Sequence, residues 1–171
     1  MEKARTVVMK NEGMWADNLI EGVKYKRLKV YPDERGVLTE ILRNDDEDFF
    51  GEKFGQLITS VCYPGAVKGW HIHSIQTDRL AVISGMAKIV LYDGRADSPT
   101  KGVVNEFFAG ERNPIFLLIP PGVYHGLKAI GEQPSITLGL PTETYIYDKP
   151  DEFRVHPHSG EIPYDWSRQD G

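Results

Sequence analysis

The chain has 171 residues and a mass of 19.3 kDa, which is the length of one ordinary domain. It is 40% hydrophobic, which is too apolar for a disordered chain. The formal net charge of −5 argues against a nucleic-acid partner or a membrane surface, because both need a basic face. A small anionic ligand is not excluded, since it needs only a few local cations.

Cysteine content and the N-terminal sequence bear on the cellular compartment. Cys62 is the single cysteine, so an intrachain disulfide cannot form, and its apolar neighbours predict a buried strand residue. The first residues hold no apolar stretch of signal-peptide length, and no segment approaches 18 consecutive apolar residues. We therefore expect a cytoplasmic protein.

In chain order, residues 1–18 read as an N-terminal arm in which Trp15–Ile20 predicts a short helix or a segment that docks on a neighbour. From Val23 onward, short apolar runs alternate with turns rich in Gly, Pro, Asn and Asp. The predicted strands are Val23–Val30, Val37–Leu42, Phe54–Tyr63, Val67–His73, Arg79–Ser84, Met86–Tyr92, Phe107–Phe108, Ile115–Ile119, Gly126–Ile130 and Ser135–Leu140. This pattern indicates an all-β sandwich or barrel.

The domain organisation follows from the absence of a linker or repeat. We expect a single domain over residues 1–171, with a barrel over residues 20–148. The segment 149–171 is rich in Pro and aromatic residues, so it is predicted to wrap the barrel.

The most informative segment contains His71 and His73, which are two residues apart. In a strand they point to the same face, whereas Trp70 and Ile72 point to the other. Two imidazoles on one face and apolar residues on the other are expected where the histidines look into the mouth of a barrel.

The spacing around these histidines resembles the two cupin sequence motifs. The first motif is matched by Gly65, His71-x-His73, Asp78 and Gly85, and the second by Pro120–His125, with Ala129 where an Asn is usual. The resemblance implies an all-β cupin jelly-roll β-barrel, a single domain with a short N-terminal extension. In metal cupins, His71, His73, Asp78 and His125 would bind one divalent ion. The alternatives are a site without a cofactor, or histidines that only satisfy buried hydrogen bonds.

A second resemblance extends from about Val23 to Trp166, and it is to the dTDP-4-dehydrorhamnose 3,5-epimerase family of metal-independent cupins. The matching segments are Asp33–Glu40, Phe54 with Gln56, Ser60, Lys68–His71, Tyr92–Arg95, Asp97–Thr100 and Pro121–Gly126. It implies an isomerase that removes a proton next to the carbonyl of a 4-keto-6-deoxy sugar nucleotide, in activated-sugar or surface-polysaccharide biosynthesis. No cofactor is implied.

The same resemblance implies roles for individual residues. His71 is expected to be the base, because a histidine pKa is close to the operating pH. The expected catalytic set is His71, His73, His125 and Tyr145, and the expected substrate-binding set is Arg35, Glu40, Gln56, Lys68 and Arg79. Arg35 and Arg79 are expected to hold the diphosphate.

Departures from the family pattern leave the reaction open. The tyrosine that returns the proton is replaced by Leu138, so Tyr145 or Tyr147 would have to substitute, and His156 stands where an Asp is usual. The pair His71-x-His73 resembles instead the His-x-His of the sugar-nucleotide 3,4-ketoisomerases. Epimerase, ketoisomerase, metal-dependent cupin enzyme and non-catalytic sugar-nucleotide binder therefore all stay open.

The sequence also predicts a homodimer. Trp70 and Ile72 are expected on an uncovered face, and Val7, Val8 and Met14 add apolar surface to the N-terminal arm. A second copy would cover both surfaces. The alternative cover for Trp70 is the aromatic tail.

Overall fold

The computed structural model describes residues 14–15, 18–51 and 53–168, and within them the predicted all-β fold is confirmed. The strands are β1 (Met14–Trp15), β2 (Lys24–Arg27), β3 (Lys29–Asp33), β4 (Gly36–Glu40), β5 (Ile58–Cys62), β6 (Val67–Ile72), β7 (Asp78–Ser84), β8 (Met86–Asp93), β9 (Val104–Gly110), β10 (Ile115–Ile119), β11 (Val123–Ala129), β12 (Ser135–Gly139) and β13 (Phe153–Arg154). One short helix, α1 (Glu47–Phe50), accompanies them.

The strands form two antiparallel sheets that pack as a jelly-roll sandwich. One sheet has six strands in the order β1-β9-β8-β11-β6-β13, and the other has five in the order β2-β10-β7-β12-β5. Strands β3 and β4 form a separate hairpin. The alternation of side chains along each strand places one set between the sheets, where Ile89 and Leu91 of β8 join Leu80 and Val82 of β7 in the main core.

Trp70 lies on the outer face of β6, as alternation with His71 requires, but it is not exposed. Strand β13 pairs with β6, and the chain after it covers Trp70, which is 1% exposed. The ring centroid of Trp70 is 5.8 Å from that of Tyr164 and 4.9 Å from that of Trp166. The expectation that Trp70 needs a second copy to cover it was therefore wrong, because the aromatic tail buries it within the chain.

Two predicted elements near the N-terminus also differ. Met14 and Trp15 pair with β9 as a short strand, so Trp15 does not begin a helix. Residues 1–13 and 16–17, including Val7 and Val8, lie outside the described residues. The predicted strand Val23–Val30 is divided at Leu28, whose N–H leaves the sheet to donate to the Pro114 carbonyl while its side chain packs in a small core with Phe49.

No helix in the described ranges is long and apolar enough to cross a membrane.

Asp93 ends β8 with its carboxylate completely buried beside a tight turn. Its oxygens accept hydrogen bonds from Arg95 Nε at 2.9 Å, Ser98 Oγ at 2.6 Å and Thr100 Oγ1 at 2.6 Å. Burial alone would raise the pKa of Asp93, but these donors outweigh it and hold the pKa well below its ordinary value of 3.8. The ionised form therefore stabilises the fold.

We expect Asp93→Asn to lower the free energy of unfolding by about 3 kcal/mol at pH 7, because Arg95 loses its buried partner. Because folding lowers the pKa of Asp93, its carboxylate stabilises the folded state above pH 3.8. This stabilisation is lost progressively as the pH falls further. The difference from wild type should therefore shrink below pH 3.8 in denaturant titrations. Asp97→Asn, which removes an exposed charge in the same loop, is the control. An equal loss at pH 3 and pH 7 would contradict this explanation.

Candidate active site

The site begins with two histidines that face each other across neighbouring strands. In the antiparallel ladder between β6 and β11, His71 is the direct partner of His125. Their ring centroids are 5.9 Å apart. The cupin spacing thus brings together two side chains that are more than 50 residues apart in the chain.

A local irregularity in β6 sets this register. His125 pairs with His71 but Leu127 pairs with Lys68, so β6 carries one extra residue over this stretch, which is a β-bulge. The strands approach very closely here, because a Cβ built on Gly69 would lie 2.8 Å from Gly126 Cα. Glycine at both positions permits the contact that places the two histidines opposite each other.

Asp78 approaches the histidines from the other sheet, as the first residue of β7. Its Oδ2 lies 2.9 Å from His125 Nε2 and 3.3 Å from His73 Nε2, and its Oδ1 accepts a hydrogen bond from Gln76 Nε2 at 2.7 Å. The Asp78 side chain is therefore long enough to reach both imidazoles. We call His73, Asp78 and His125 the histidine–aspartate cluster.

Both cluster histidines are held at the opposite ring nitrogen by the backbone. His125 Nδ1 lies 3.1 Å from the Val123 carbonyl oxygen, and His73 Nδ1 donates to the Asp151 carbonyl oxygen. A carbonyl only accepts, so each Nδ1 carries a proton and each Nε2 is directed at Asp78. The two rings are thereby fixed in orientation.

The charges of the cluster are strongly perturbed. Burial opposes ionisation of Asp78, but the hydrogen bonds from His125 and His73 outweigh it and hold the pKa of Asp78 far below its ordinary range. Burial likewise disfavours the charged form of His73, but the Asp78 carboxylate raises the pKa of His73 overall. Asp78 is therefore ionised at neutral pH.

The environment of His71 lowers the pKa of its imidazole, in contrast to that of His73. Burial, and then the electrostatic interaction with His125, lower the pKa of His71 to about 4, although the carboxylate of Glu152 acts in the other direction. At neutral pH the imidazole of His71 is uncharged, and it has a lone pair that can accept a proton.

These groups line one cavity of about 860 Å³ between the sheets. Of the residues predicted from the sequence, the lining includes His71, His73, Asp78, His125, Tyr145, Gln56, Lys68 and Arg79. The Tyr145 side chain is at the mouth, where the residue is 38% exposed and its backbone N–H donates to Gln56 Oε1 at 3.1 Å. Thr137 and Gly139 line the cavity but Leu138 between them does not, because alternation along β12 points it elsewhere.

Lys68 contributes a positive charge to the cavity. Its Nζ donates to Ser60 Oγ at 2.6 Å and to the Val61 carbonyl oxygen at 3.2 Å. Both partners are neutral, so they do not balance the charge of Lys68. An anionic group of a ligand could take their place.

Arg79 is placed differently from its predicted role. Arg79 borders the cavity, but alternation along β7 directs its side chain to the face opposite that of Asp78, and Arg79 is 1% exposed. Its guanidinium donates to the backbone carbonyls of Leu140 at 2.8 Å, Lys53 at 2.7 Å, Phe49 at 3.3 Å and Phe50. The expectation that Arg79 holds a diphosphate is corrected, because its donors tie the segment around α1 to the sheet.

Arg35 and Glu40 are not brought to the cavity of their own chain. Arg35 lies at the end of the β3–β4 hairpin with its side chain 85% exposed and paired with Asp33 at 2.5 Å. Glu40 pairs with Arg43 at 3.4 Å on the same hairpin. One chain does not bring these two residues to its own cavity, and their role in substrate binding stays a prediction.

Three residues of the tail line the cavity although the sequence reasoning did not predict them. Asp151, Glu152 and Arg154 stand beside His71 and His73 because β13 pairs with β6, with Arg154 directly opposite His71. Arg154 Nε donates to Glu152 Oε1 at 2.5 Å. These charged residues stand out in a tail that is rich in aromatic residues. Only the pairing of β13 with β6 shows that they line the cavity.

Comparison with known proteins agrees with this architecture. The family described as polysaccharide biosynthesis C-terminal domain matches residues 31–153. The chain is 42% identical over 151 residues to the spore coat polysaccharide biosynthesis protein SpsL of Bacillus subtilis strain 168, covering 88% of this chain and 99% of SpsL. The chain belongs to this family.

Further similar proteins include an epimerase and an isomerase. The chain is 38% identical over 151 residues to the probable low-salt glycan biosynthesis epimerase Agl13 of Haloferax volcanii, covering 88% of this chain and 96% of Agl13. A dTDP sugar isomerase from Desulfovibrio desulfuricans G20 superimposes with a TM-score of 0.81 at 32% identity, over 88% of this chain and 94% of that one. The dTDP-6-deoxy-D-glucose-3,5-epimerase RmlC of Legionella pneumophila Philadelphia 1, in complex with dTDP-4-keto-L-rhamnose, gives 0.76 at 27%, over 90% and 83%. The predicted membership of the cupin epimerases of nucleotide sugars is confirmed.

The contrast between Lys68, whose charge faces the cavity, and Arg79, whose guanidinium holds backbone carbonyls, gives a test. We expect Arg79→Met to lower the free energy of unfolding by about 3 kcal/mol, because buried carbonyls lose their donor. Lys68→Met should leave stability within about 0.5 kcal/mol of wild type, since Lys68 is exposed. Urea titration of the two variants measures both values. A stable Arg79→Met variant would show that the guanidinium is not a structural tie.

Proposed function

We propose that the protein is a sugar-nucleotide epimerase of polysaccharide biosynthesis that acts on a 4-keto-6-deoxy sugar by removing a proton next to the carbonyl. The observation that supports this most directly is His71, a neutral imidazole that lines the same cavity as the histidine–aspartate cluster. Because the environments of His71 and of the cluster differ, His71 can accept a proton while the cluster stabilises the charge that develops.

The chemistry of the substrate explains the need for each group. A carbonyl acidifies the neighbouring C–H bonds, so His71 can take the proton as a general base. The electrons then move to the carbonyl oxygen, which becomes an enolate, and this negative charge needs donors aimed at it. We assign this role to N–H donors of the cluster histidines, which line the same cavity as His71.

Inversion requires that a proton returns to the opposite face of the sugar. Leu138 cannot donate one, and it does not line the cavity. Among the described residues, Tyr145 is the tyrosine that lines the cavity, and we assign the return of the proton to it. Gln56 fixes the backbone at this position. Gln56 and Lys68 remain the proposed ligand contacts, and Lys68 is the proposed partner of the diphosphate.

A sugar-nucleotide 3,4-ketoisomerase is the second candidate, and the presence of His73 beside the cavity favours it. Both reactions begin with abstraction of a proton next to the carbonyl, and they differ in where the carbonyl stands in the product. Proton NMR of the product formed in deuterated water separates them: an epimerase leaves the carbonyl at C4, and a ketoisomerase moves it to C3.

A divalent metal ion is the alternative to a site without a cofactor. Three of the four expected ligands fit one, because His73, Asp78 and His125 each offer a ligand atom and these atoms all lie within 4.8 Å of one another. His71, the fourth expected ligand, is not part of this group. Nδ1 of each histidine is held by a carbonyl, as is usual for histidine ligands. When bound, such an ion would polarise the carbonyl of the sugar. The metal-free proposal expects no stoichiometric ion in elemental analysis of the purified protein, and one ion per chain would favour the alternative.

The central test replaces the base. We expect His71→Asn to slow the exchange of sugar C–H protons with deuterated water by at least about 100-fold, the usual contribution of a general base. The substrate is dTDP-4-keto-6-deoxyglucose, with the UDP form tested in parallel, and proton NMR follows the exchange. His158→Asn changes an exposed tail histidine outside the cavity and should leave the rate unchanged. Exchange at the wild-type rate in the His71 variant would refute the assignment.

We further propose that the protein is a homodimer, on grounds that differ from those in the sequence. Trp70 is covered within the chain, but the β3–β4 hairpin exposes Tyr31 at 51%, Val37 at 69% and Leu38 at 64%. A second copy packed on the hairpin would bury this apolar surface. Arg35 lies on the same hairpin, so it could meet the diphosphate only in the cavity of the partner.

A cytoplasmic location also stays a prediction.

Light scattering at micromolar concentration should give about twice 19.3 kDa for the wild-type protein. Leu38→Lys places a charge in the proposed interface and should shift the mass towards the monomer without unfolding the sheets, since Leu38 is exposed within one chain. Lys101→Glu, a change of an exposed charge in the turn before β9, is the control. A wild-type monomer would contradict the proposal.

A further inference from the structure

The turn that joins β6 to β7 is held together by the tail. Strand β6 ends at Ile72, and the backbone N–H groups of the next residues point towards one carboxylate. Asp151 Oδ1 accepts from Ser74 N at 2.9 Å, and Asp151 Oδ2 accepts from Ile75 N at 2.8 Å and Gln76 N at 2.9 Å. A carboxylate that accepts several backbone N–H groups makes strong, charge-assisted hydrogen bonds.

Electrostatics agrees with this geometry. Partial burial would raise the pKa of Asp151, but the three backbone donors outweigh it and lower the pKa below its ordinary value. The carboxylate is thus ionised and fully engaged with the turn.

The same residue is connected to the histidine–aspartate cluster at two points. Its carbonyl oxygen accepts a hydrogen bond from His73 Nδ1, which fixes the ring so that Nε2 faces Asp78. At the other end of the turn, Gln76 Nε2 donates to Asp78 Oδ1 at 2.7 Å. Both contacts depend on the turn keeping its shape.

We propose that Asp151 is a positioning residue of the active site: its carboxylate holds the Ser74–Gln76 turn, and through that turn it orients His73 and Asp78. The proposal rests on the proposed function, because the orientation matters for the proton transfer in the cavity. A displacement of about 1 Å in a catalytic group can lower a rate by about 100-fold. Asp151 therefore acts on turnover and does not bind the ligand directly.

The experiment compares Asp151→Asn with Asp148→Asn, which removes an exposed charge from the same segment. Amide hydrogen exchange measures the turn, and deuterium wash-in from solvent into dTDP-4-keto-6-deoxyglucose gives kcat and KM. In Asp151→Asn we expect the amides of Ser74, Ile75 and Gln76 to exchange at least about tenfold faster. We expect kcat to fall about 10- to 100-fold with KM within about threefold of wild type. Asp148→Asn should match wild type in every readout.

A second variant follows the effect to the cluster. Gln76→Ala breaks the contact with Asp78 but keeps the three backbone N–H groups that Asp151 holds. It should lower kcat without faster amide exchange in the turn, and the double variant should be less impaired than the product of the two single effects. If Asp151→Asn does not fold, the Gln76→Ala variant still tests the link, and an unchanged kcat in it refutes the proposal.

The possible outcomes separate the two proposals. Faster amide exchange with an unchanged kcat would overturn the positioning role, as would a raised KM with an unchanged kcat, which would make Asp151 a wall of the cavity. A wild-type protein that exchanges no proton of either 4-keto sugar nucleotide would instead refute the proposed function.

Discussion

The Asp78 carboxylate connects the two sheets inside the cavity, where it contacts the histidines. It belongs to the five-stranded sheet, while the His125 that it contacts belongs to the six-stranded sheet. A buried carboxylate is unfavourable unless it is hydrogen-bonded, so Asp78 and its two imidazoles are mutually dependent. Each of these imidazoles is held at Nδ1 by a backbone carbonyl and directs Nε2 at Asp78. The neutrality of His71 follows from burial first, and then from the interaction with His125.

The part of the site that obeys strand alternation and motif spacing could be predicted from the sequence. His71, His73, Asp78 and His125 converge because each is at or beside the end of a strand whose register the cupin spacing sets. The same rule could have placed Arg79 correctly. It follows Asp78 in the same strand and must therefore face the opposite side.

Other features could not be read from local patterns, because they depend on contacts between distant segments. Alternation predicts that Trp70 points away from His71, but only the fold shows that Tyr164 and Trp166 cover it. Pairing of β13 with β6 likewise brings Glu152 and Arg154 into the cavity. The tail thus has two structural roles: it completes the outer core of the six-stranded sheet, and it supplies one wall of the active site.

Proton abstraction by His71 requires the sugar ring to lie in the cavity with its reacting C–H bond at His71. The most direct measurement is a crystal structure of the protein with a non-reactive dTDP-6-deoxy sugar. We expect a ring carbon next to C4 within about 3.5 Å of a nitrogen of His71, which is the usual reach of a reacting pair, and the diphosphate near Lys68. A sugar bound outside this cavity, or one whose C3 and C5 both lie far from His71, would contradict the account.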